Sequence, residues 1–440
     1  MRYGLGALAA ALFFAAAFAF ASTLWVPGRD GPVTNPLDFR AFYCAGAALG
    51  SGHDPYLVEP LRSCERATLV SAGLRMDPRR VLPAPLPPYA LLGFAALARL
   101  PYRTASELWL ALSLTALSLS IWAVALVSRL RPLPVALALF ASLGTASLAY
   151  GQVVPVAVAG LALAALGARR GDGRMAVLGC LPAAIEPHLA LPAWLGILVL
   201  VPAVRVPLLL AGAGLAAVSL GCGPALNLEY ASSVLPAHAR SEVMEFGGQY
   251  SLTSLLWSLG TPIPAALAAG GLCYAVMLGL GIAIARGAVA RAGDPAFAVL
   301  VPAAAVLLGG PFLHDHQLAA ALPLGLTLAG GFAAGSRPWL AAVVAVVLLA
   351  VPWQSFAEFS AVVDLLPPRA VAAAAPADPP AAQPGQSAEI PYTAFVDAFA
   401  DRDDRRTRLE QTLWKLPSWL ALLALGGLAV RFEGRRRAFS

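Results

Sequence analysis

Apolar runs long enough to cross a lipid bilayer recur from one end of this chain to the other, and nothing else in it limits the possible folds as tightly. The first extends from Leu5 to Trp25, and no small-residue cleavage site precedes Pro27, so the run is expected to be retained as a helix. Composition agrees: 59% of the residues are hydrophobic and 12% charged. The expected class is an all-α polytopic membrane protein.

Spans are expected near 5–25, 104–127, 134–149, 153–168, 175–186, 188–203, 204–222, 263–285, 295–311, 317–334, 338–353 and 413–430, about 12 transmembrane helices in all. The short apolar segment 87–100 begins with Pro87 and Pro88 and is expected to dip into the membrane and return. The formal charge of +6 reports topology more than partners. Arg2, Arg129, Arg131, Arg169, Arg170, Arg174, Arg205, Arg286, Arg291, Arg337, Arg431 and Arg435–Arg437 belong on one side under the positive-inside rule. Both termini are then cytoplasmic, and the placement is a multi-pass one in the inner (plasma) membrane. The domain organisation follows. Residues 1–353 form a transmembrane catalytic bundle with external loops 27–86 and 223–262. Residues 354–412 form an external loop with a Pro/Ala tract (PPRAVAAAAPADPPAAQPGQ), expected to be disordered, then an amphipathic helix. Residues 413–440 form the last span and a basic cytoplasmic tail.

Polar residues are scarce, so their company matters. In LDFRAFYCAGAALGSGHDPY, residues 37–56, the apolar positions fall at helical spacing, and residues 38–49 are expected to form an amphipathic helix along the outer surface, ended by Gly50-Ser51-Gly52. Asp38 sits near that helix's N-terminus, where it serves either as a helix cap or as a reactive carboxylate. Asp54, in an Asp-Pro pair, is a turn former or a second candidate base. Cys44 and Cys64 are either a disulfide, if the loop faces an oxidising compartment, or two small buried residues. Around Ile185-Glu186-Pro187-His188, the prolines 182, 187 and 192 break any single helix, which places Glu186 and His188 at a polar cavity. His314-Asp315-His316-Gln317 is the densest polar cluster. Read as metal ligands, its two histidines suit an extended segment, but no further ligand set accompanies them, so no metal and no cofactor is assigned. Asn227, Glu229, Tyr230, His238, Gln249 and Tyr250 in the loop 223–262 are of the kind that line sugar sites, or are ordinary loop surface.

Six stretches in order carry a resemblance: DFRAFYCAGAALGSGHDPY, LPPYALLGFAALARLP with ELWLAL, AYGQVVPVAVAGLALAALGARRGDGR, PAAIEPHLALPAW, GGQYSLTSLLWSLG and LHDHQLAAALPLGL. In these the chain resembles the family 87 glycosyltransferases over nearly its whole length. The resemblance implies a glycosyltransferase C-type helical bundle with its active site on the external face. It implies an enzyme that moves a hexose, mannose first, from a polyprenyl-phosphate sugar donor to a lipid or glycan hydroxyl, with the bilayer as the third partner. Asp38 matches the family's first external carboxylate, the presumed base, with Asp54 and Glu186 as further catalytic candidates. Arg40, Tyr43, His188, Gln249, His314, Asp315, His316 and Gln317 are the candidates for holding substrate. Glu186 stands where family members commonly carry a lysine.

Other classes fare less well. A glycine-rich phosphate loop beside a strand, a paired CxxC, a nucleophile elbow and a basic aromatic surface are all missing from the sequence, which sets aside nucleotide-driven enzymes and nucleic-acid binders. A secondary transporter, or a non-catalytic membrane scaffold, remains the alternative.

Overall fold

A computed structural model describes residues 36–71, 81–144, 146–244, 248–351, 353, 383, 385–400 and 412–433. The described residues are helical, joined by turns, and two isolated β-bridges pair Leu57 with Ser387 and Gln249 with His314.

The chain enters through α1 (Leu37–Gly50), α2 (Val58–Ser71) and α3 (Pro88–Leu97), and the long α4 (Tyr102–Ser128) follows. These pack around an aromatic cluster. The Phe39 ring lies 5.9 Å from both Tyr102 and Trp109 and 6.3 Å from Phe94. Full burial of such a ring is worth about 1.5–3 kcal/mol. Gly46 permits the close crossing of α1 and α3, since a Cβ there would lie 2.6 Å from the Ala95 amide nitrogen. A disulfide joins Cys44 of α1 to Cys64 of α2, with Cα atoms 5.6 Å apart.

The second and larger core is built from α5 (Pro132–Leu143), α6 (Ala146–Tyr150), α7 (Val154–Arg170), α8 (Gly173–Ala183) and α9 (Pro187–Leu200), with later helices closing over them. Helix α7 starts with Pro155 in its first turn and stops at Gly171, which takes the left-handed conformation at φ 69°. Asp172 then caps α8, accepting from the Met175 amide at 3.0 Å. The two helices form a tight hairpin along small residues: a Cβ at Gly160 would meet the Gly179 carbonyl oxygen at 2.6 Å.

After α10 (Arg205–Gly221), the short α11 (Pro224–Glu229) passes through a π-helical turn, Tyr230–Val234, into α12 (Leu235–Met244). Next come α13 (Leu252–Ser258), the 30-residue α14 (Ile263–Ala292) and α15 (Phe297–Ala305). Arg169 at the end of α7 is ion-paired with Asp294 just before α15, tying the two central helices together. A 3₁₀ turn, Asp315–Ala321, leads into α16 (Leu322–Gly331), and α17 (Arg337–Ala350), α18 (Glu389–Ala400) and α19 (Leu416–Arg431) complete the described chain.

This architecture corrects the expected polytopic bundle of about 12 transmembrane helices and a re-entrant segment. Among the described residues three helical segments, Tyr102–Ser128, Pro202–Gly221 and Ile263–Ala292, are long and apolar enough to cross a membrane, by length and composition. Their outer faces stay uncovered, with Leu209, Leu210, Leu272 and Val276 each more than half exposed. Other expected spans are shorter apolar helices of 10–17 residues, and the segment 87–100 is simply α3, packed on α1. The physical reason lies in what covers them. Helices α7, α15 and α16 are apolar on every side because protein surrounds them, and a helix buried in protein carries the same pattern as one buried in lipid.

Several expectations fall with that bundle. The likeness to the family 87 glycosyltransferases implied a glycosyltransferase C-type fold, and this is not one. The derived roles, hexose transfer from a polyprenyl-phosphate donor to a lipid or glycan acceptor with the bilayer as partner and a multi-pass inner-membrane placement, rested on that fold and are withdrawn with it. The transporter and scaffold alternatives gain no support in exchange. The apolar run at 5–25, the basic residues at 435–437, most of the Pro/Ala tract and residues 401–411 of the amphipathic segment lie outside the described residues.

Helix α1 is a correction of its own. It was expected to lie along the surface, yet Phe39 through Gly46 are all buried. One side feeds the aromatic cluster, and the other, with Asp38, Ala41 and Phe42, faces a cavity.

Candidate functional site

The cavity occupies about 1030 Å³ between the aromatic cluster and the larger core. Much of its wall is apolar, from residues such as Leu82, Pro85, Leu86, Leu191, Leu267 and Leu307. The ionisable groups other than tyrosine that face it come from four places: the first turn of α1, the break between α8 and α9, helix α12, and the turn that carries residues 314–317, with the Gln152 amide between α6 and α7 beside them.

Asp38 is in the first turn of α1, but the residue at the cap position is Pro36, and no side chain caps the helix. Its carboxylate instead accepts a hydrogen bond of 2.6 Å from the Gln152 amide. Burial raises its pKa above the usual carboxylate range, outweighing the pull of His316, His314 and Gln152. A carboxylate at a helix N-terminus is ordinarily a weak base, and burial compensates here.

Glu186 occupies the position before α9, held there by Pro187 at the first helical residue. It is 7% exposed and takes one hydrogen bond from the Gln317 amide at 3.4 Å, with His188 Nδ1 also 3.4 Å away. Burial pushes its pKa up to about 7, against the smaller opposing effects of His314, Gln317 and His238. At neutral pH it is therefore about half protonated. The proline break anticipated at this point creates the kink, and both Glu186 and His188 line the cavity.

The segment Gly248–Ser251 runs beside Leu313–Asp315. Tyr250 donates its amide to the Leu313 carbonyl at 2.6 Å, Asp315 donates to Gly248 at 3.0 Å, and the Gln249 side chain accepts from the Leu313 amide at 2.8 Å. This pairing fixes His314, and Gln317 locks it from the other side by accepting from the His314 amide at 2.9 Å. His314 and His316 stack with centroids 5.1 Å apart, and the Asp315 carboxylate accepts from the His316 amide at 2.6 Å.

Beyond them lies Glu242 of α12, 2% exposed. One oxygen is 3.0 Å from His314 Nε2 and accepts from the Gln249 amide at 2.6 Å, and the other is 3.4 Å from His238 Nε2. Burial favours the neutral acid, but His314, His238 and Gln249 together draw the pKa down to about 2. On the far side of His238, Glu389 at the start of α18 brings an oxygen to 3.5 Å from Nδ1.

Of the residues singled out from sequence, Asp38, Glu186, His188, His314, Asp315, His316 and Gln317 face one cavity. Gln249 is fully buried behind it and positions His314 and Glu242. Arg40, Tyr43 and Asp54 are not in its wall. Arg40 is buried, 4% exposed. Tyr43 donates its hydroxyl to the Leu100 carbonyl at 2.9 Å, and Asp54 accepts from the Tyr56 amide at 2.9 Å, which is the turn-forming role of an Asp-Pro pair. Glu242 and Glu389 were missed, and His238 was named only among loop residues. The signal for the first was present: His238 and Glu242 are spaced i, i+4, which puts both on one helix face. Glu389 had none, because 147 residues of chain separate it from Glu242. No protein-family model, curated protein or solved structure matches the chain.

Proposed function

We propose that the protein is a hydrolase whose cavity takes an amphiphilic ester, holding the apolar part against the leucine and proline wall and the ester at the acidic and histidine groups. The observation that carries the reading is that two carboxylates, the half-buried Asp38 and the buried Glu186, open into the same cavity with proton affinities raised by desolvation. Pairs of carboxylates placed in unequal environments divide acid and base roles between them. Asp38, held by Gln152, is the base: it takes a proton from water as the water oxygen bonds to the electrophilic centre of the ester. Glu186, half protonated at neutral pH, is the acid: it gives its proton to the leaving alcohol oxygen as that bond breaks. His316 faces the same space and serves as a hydrogen-bond partner for the charge that develops on the ester oxygen. Proton transfer between the two carboxylates through solvent then restores the starting state.

The test is hydrolysis of p-nitrophenyl esters of increasing acyl length by the purified full chain. The expected result is turnover that rises with chain length and falls by about 10²-fold or more in Asp38→Asn. Equal rates for the wild type and Asp38→Asn, with both folded, would end this assignment.

A further inference from the structure

We propose that His238, Glu242 and His314 form a binding site for a divalent transition metal of the zinc class, with Glu389 as the outer carboxylate that orients His238. Helix α12 supplies two ligands on one face, and the turn before residues 315–321 brings the third from more than seventy residues away in sequence. One atom from each residue lies within 4.8 Å of the others. The Glu242 carboxylate lies between the two imidazoles, one oxygen 3.4 Å from His238 Nε2 and the other 3.0 Å from His314 Nε2, so both ring nitrogens already converge on it at about the 3.3 Å separation of neighbouring zinc ligands. Two imidazoles and one carboxylate are the donor set of an open zinc site, and all three residues face the cavity, which leaves the remaining position directed at solvent or substrate.

Glu389 is the independent observation. It is 1% exposed and neither carboxylate oxygen has a hydrogen bond among the described residues. His238 Nδ1, 3.5 Å from it, is likewise buried without one. A carboxylate behind the distal nitrogen of a histidine fixes the ring so that Nε2 points at a metal, and that is the nitrogen turned toward Glu242. Charge points the same way. Glu242 and Glu389 are two buried carboxylates with neutral-capable histidines between them, and no lysine or arginine is ion-paired to either among the described residues. A bound dication would take the place of the protons that the histidines otherwise carry between them.

The site does not depend on the hydrolase reading, and it is tested without measuring turnover. The full chain, stripped with a chelator and titrated with Zn²⁺ against a chromophoric competitor, is expected to take up one ion per chain. Co²⁺ in the same site is expected to give the intense visible bands of tetrahedral coordination. Glu242→Gln and His314→Ala are expected to abolish uptake, Glu389→Gln to weaken it by about 10–100-fold, and Asp38→Asn to leave it unchanged. No uptake by the folded wild type, or equal uptake by all the variants, overturns the proposal. The wild-type cobalt spectrum keeps the test decisive even where a variant fails to fold.

Discussion

The Gln152 amide, in the turn between α6 and α7, donates to the Asp38 carboxylate of α1 at 2.6 Å, joining residues 114 positions apart. Both residues line the cavity. Replacing Gln152 with Ala removes a partner from a half-buried carboxylate, so stability is expected to fall by about 1–3 kcal/mol. Because the bond favours the charged form, its loss should also raise the Asp38 pKa further. Denaturant titration at fixed pH measures the first, and the acid limb of the pH–rate profile the second.

Glu186 makes folding pH-dependent in a stated direction. Its pKa is raised from 4.5 to about 7, so the folded chain holds this proton more tightly than the unfolded one. The contribution is fully present below the unfolded pKa and is lost as pH rises through about 7, at a cost on the order of 3 kcal/mol by pH 8 and above. Glu186→Gln cannot ionise. It is expected to lack the fall in thermal stability between pH 5 and pH 8 that is expected of the wild type, and thermal unfolding of both across that range is the check.

The Cys44–Cys64 disulfide closes a loop of 20 residues between α1 and α2. Cys44→Ser is expected to cost about 2–4 kcal/mol. Reduction of the wild type should lower its unfolding temperature toward that of the variant, and a variant as stable as the oxidised wild type would mean the bridge adds nothing.

Two glycines on facing helices should respond oppositely. At Gly46 a Cβ would lie 2.7 Å from the Phe94 Cβ, so Gly46→Val is expected to destabilise by about 1–3 kcal/mol or more. At Gly93 nothing lies within 4 Å, so Gly93→Ala is expected to stabilise α3 by about 0.5–1 kcal/mol. Calorimetry on the two variants separates close packing from helix propensity.

Local pattern and chain breaks carried well from sequence to structure, while burial and long-range pairing did not. The expected run 104–127 is α4, and a break does fall just before Pro187, placing Glu186 at the cavity, whereas Pro182 and Pro192 lie inside α8 and α9. Asp38, Glu186, His188 and the residues 314–317 were legible because polar groups in so apolar a chain need a reason to be there, and they share one cavity. Arg40 and Tyr43 were grouped with Asp38 by nearness along the chain, but a helix turns neighbours to different faces. The twelve-span bundle failed on α7 and α16 for a physical reason: apolarity on every side says that a helix is covered, not by what. Glu242 could have been paired with His238 from their i, i+4 spacing, but its approach to His314 and that of Glu389 to His238 are contacts between distant segments, which single-sequence periodicity does not encode.

The central claim is that Asp38 and Glu186 work as base and acid in one cavity. The most direct test is the pH–rate profile for hydrolysis of a long-chain p-nitrophenyl ester by the wild type and Glu186→Gln. The account predicts a wild-type rate that declines above about pH 7 as Glu186 loses its proton, and a variant that is slower by about 10²-fold or more at pH 6 with no such decline. A variant that keeps both the wild-type rate and the wild-type decline would contradict it.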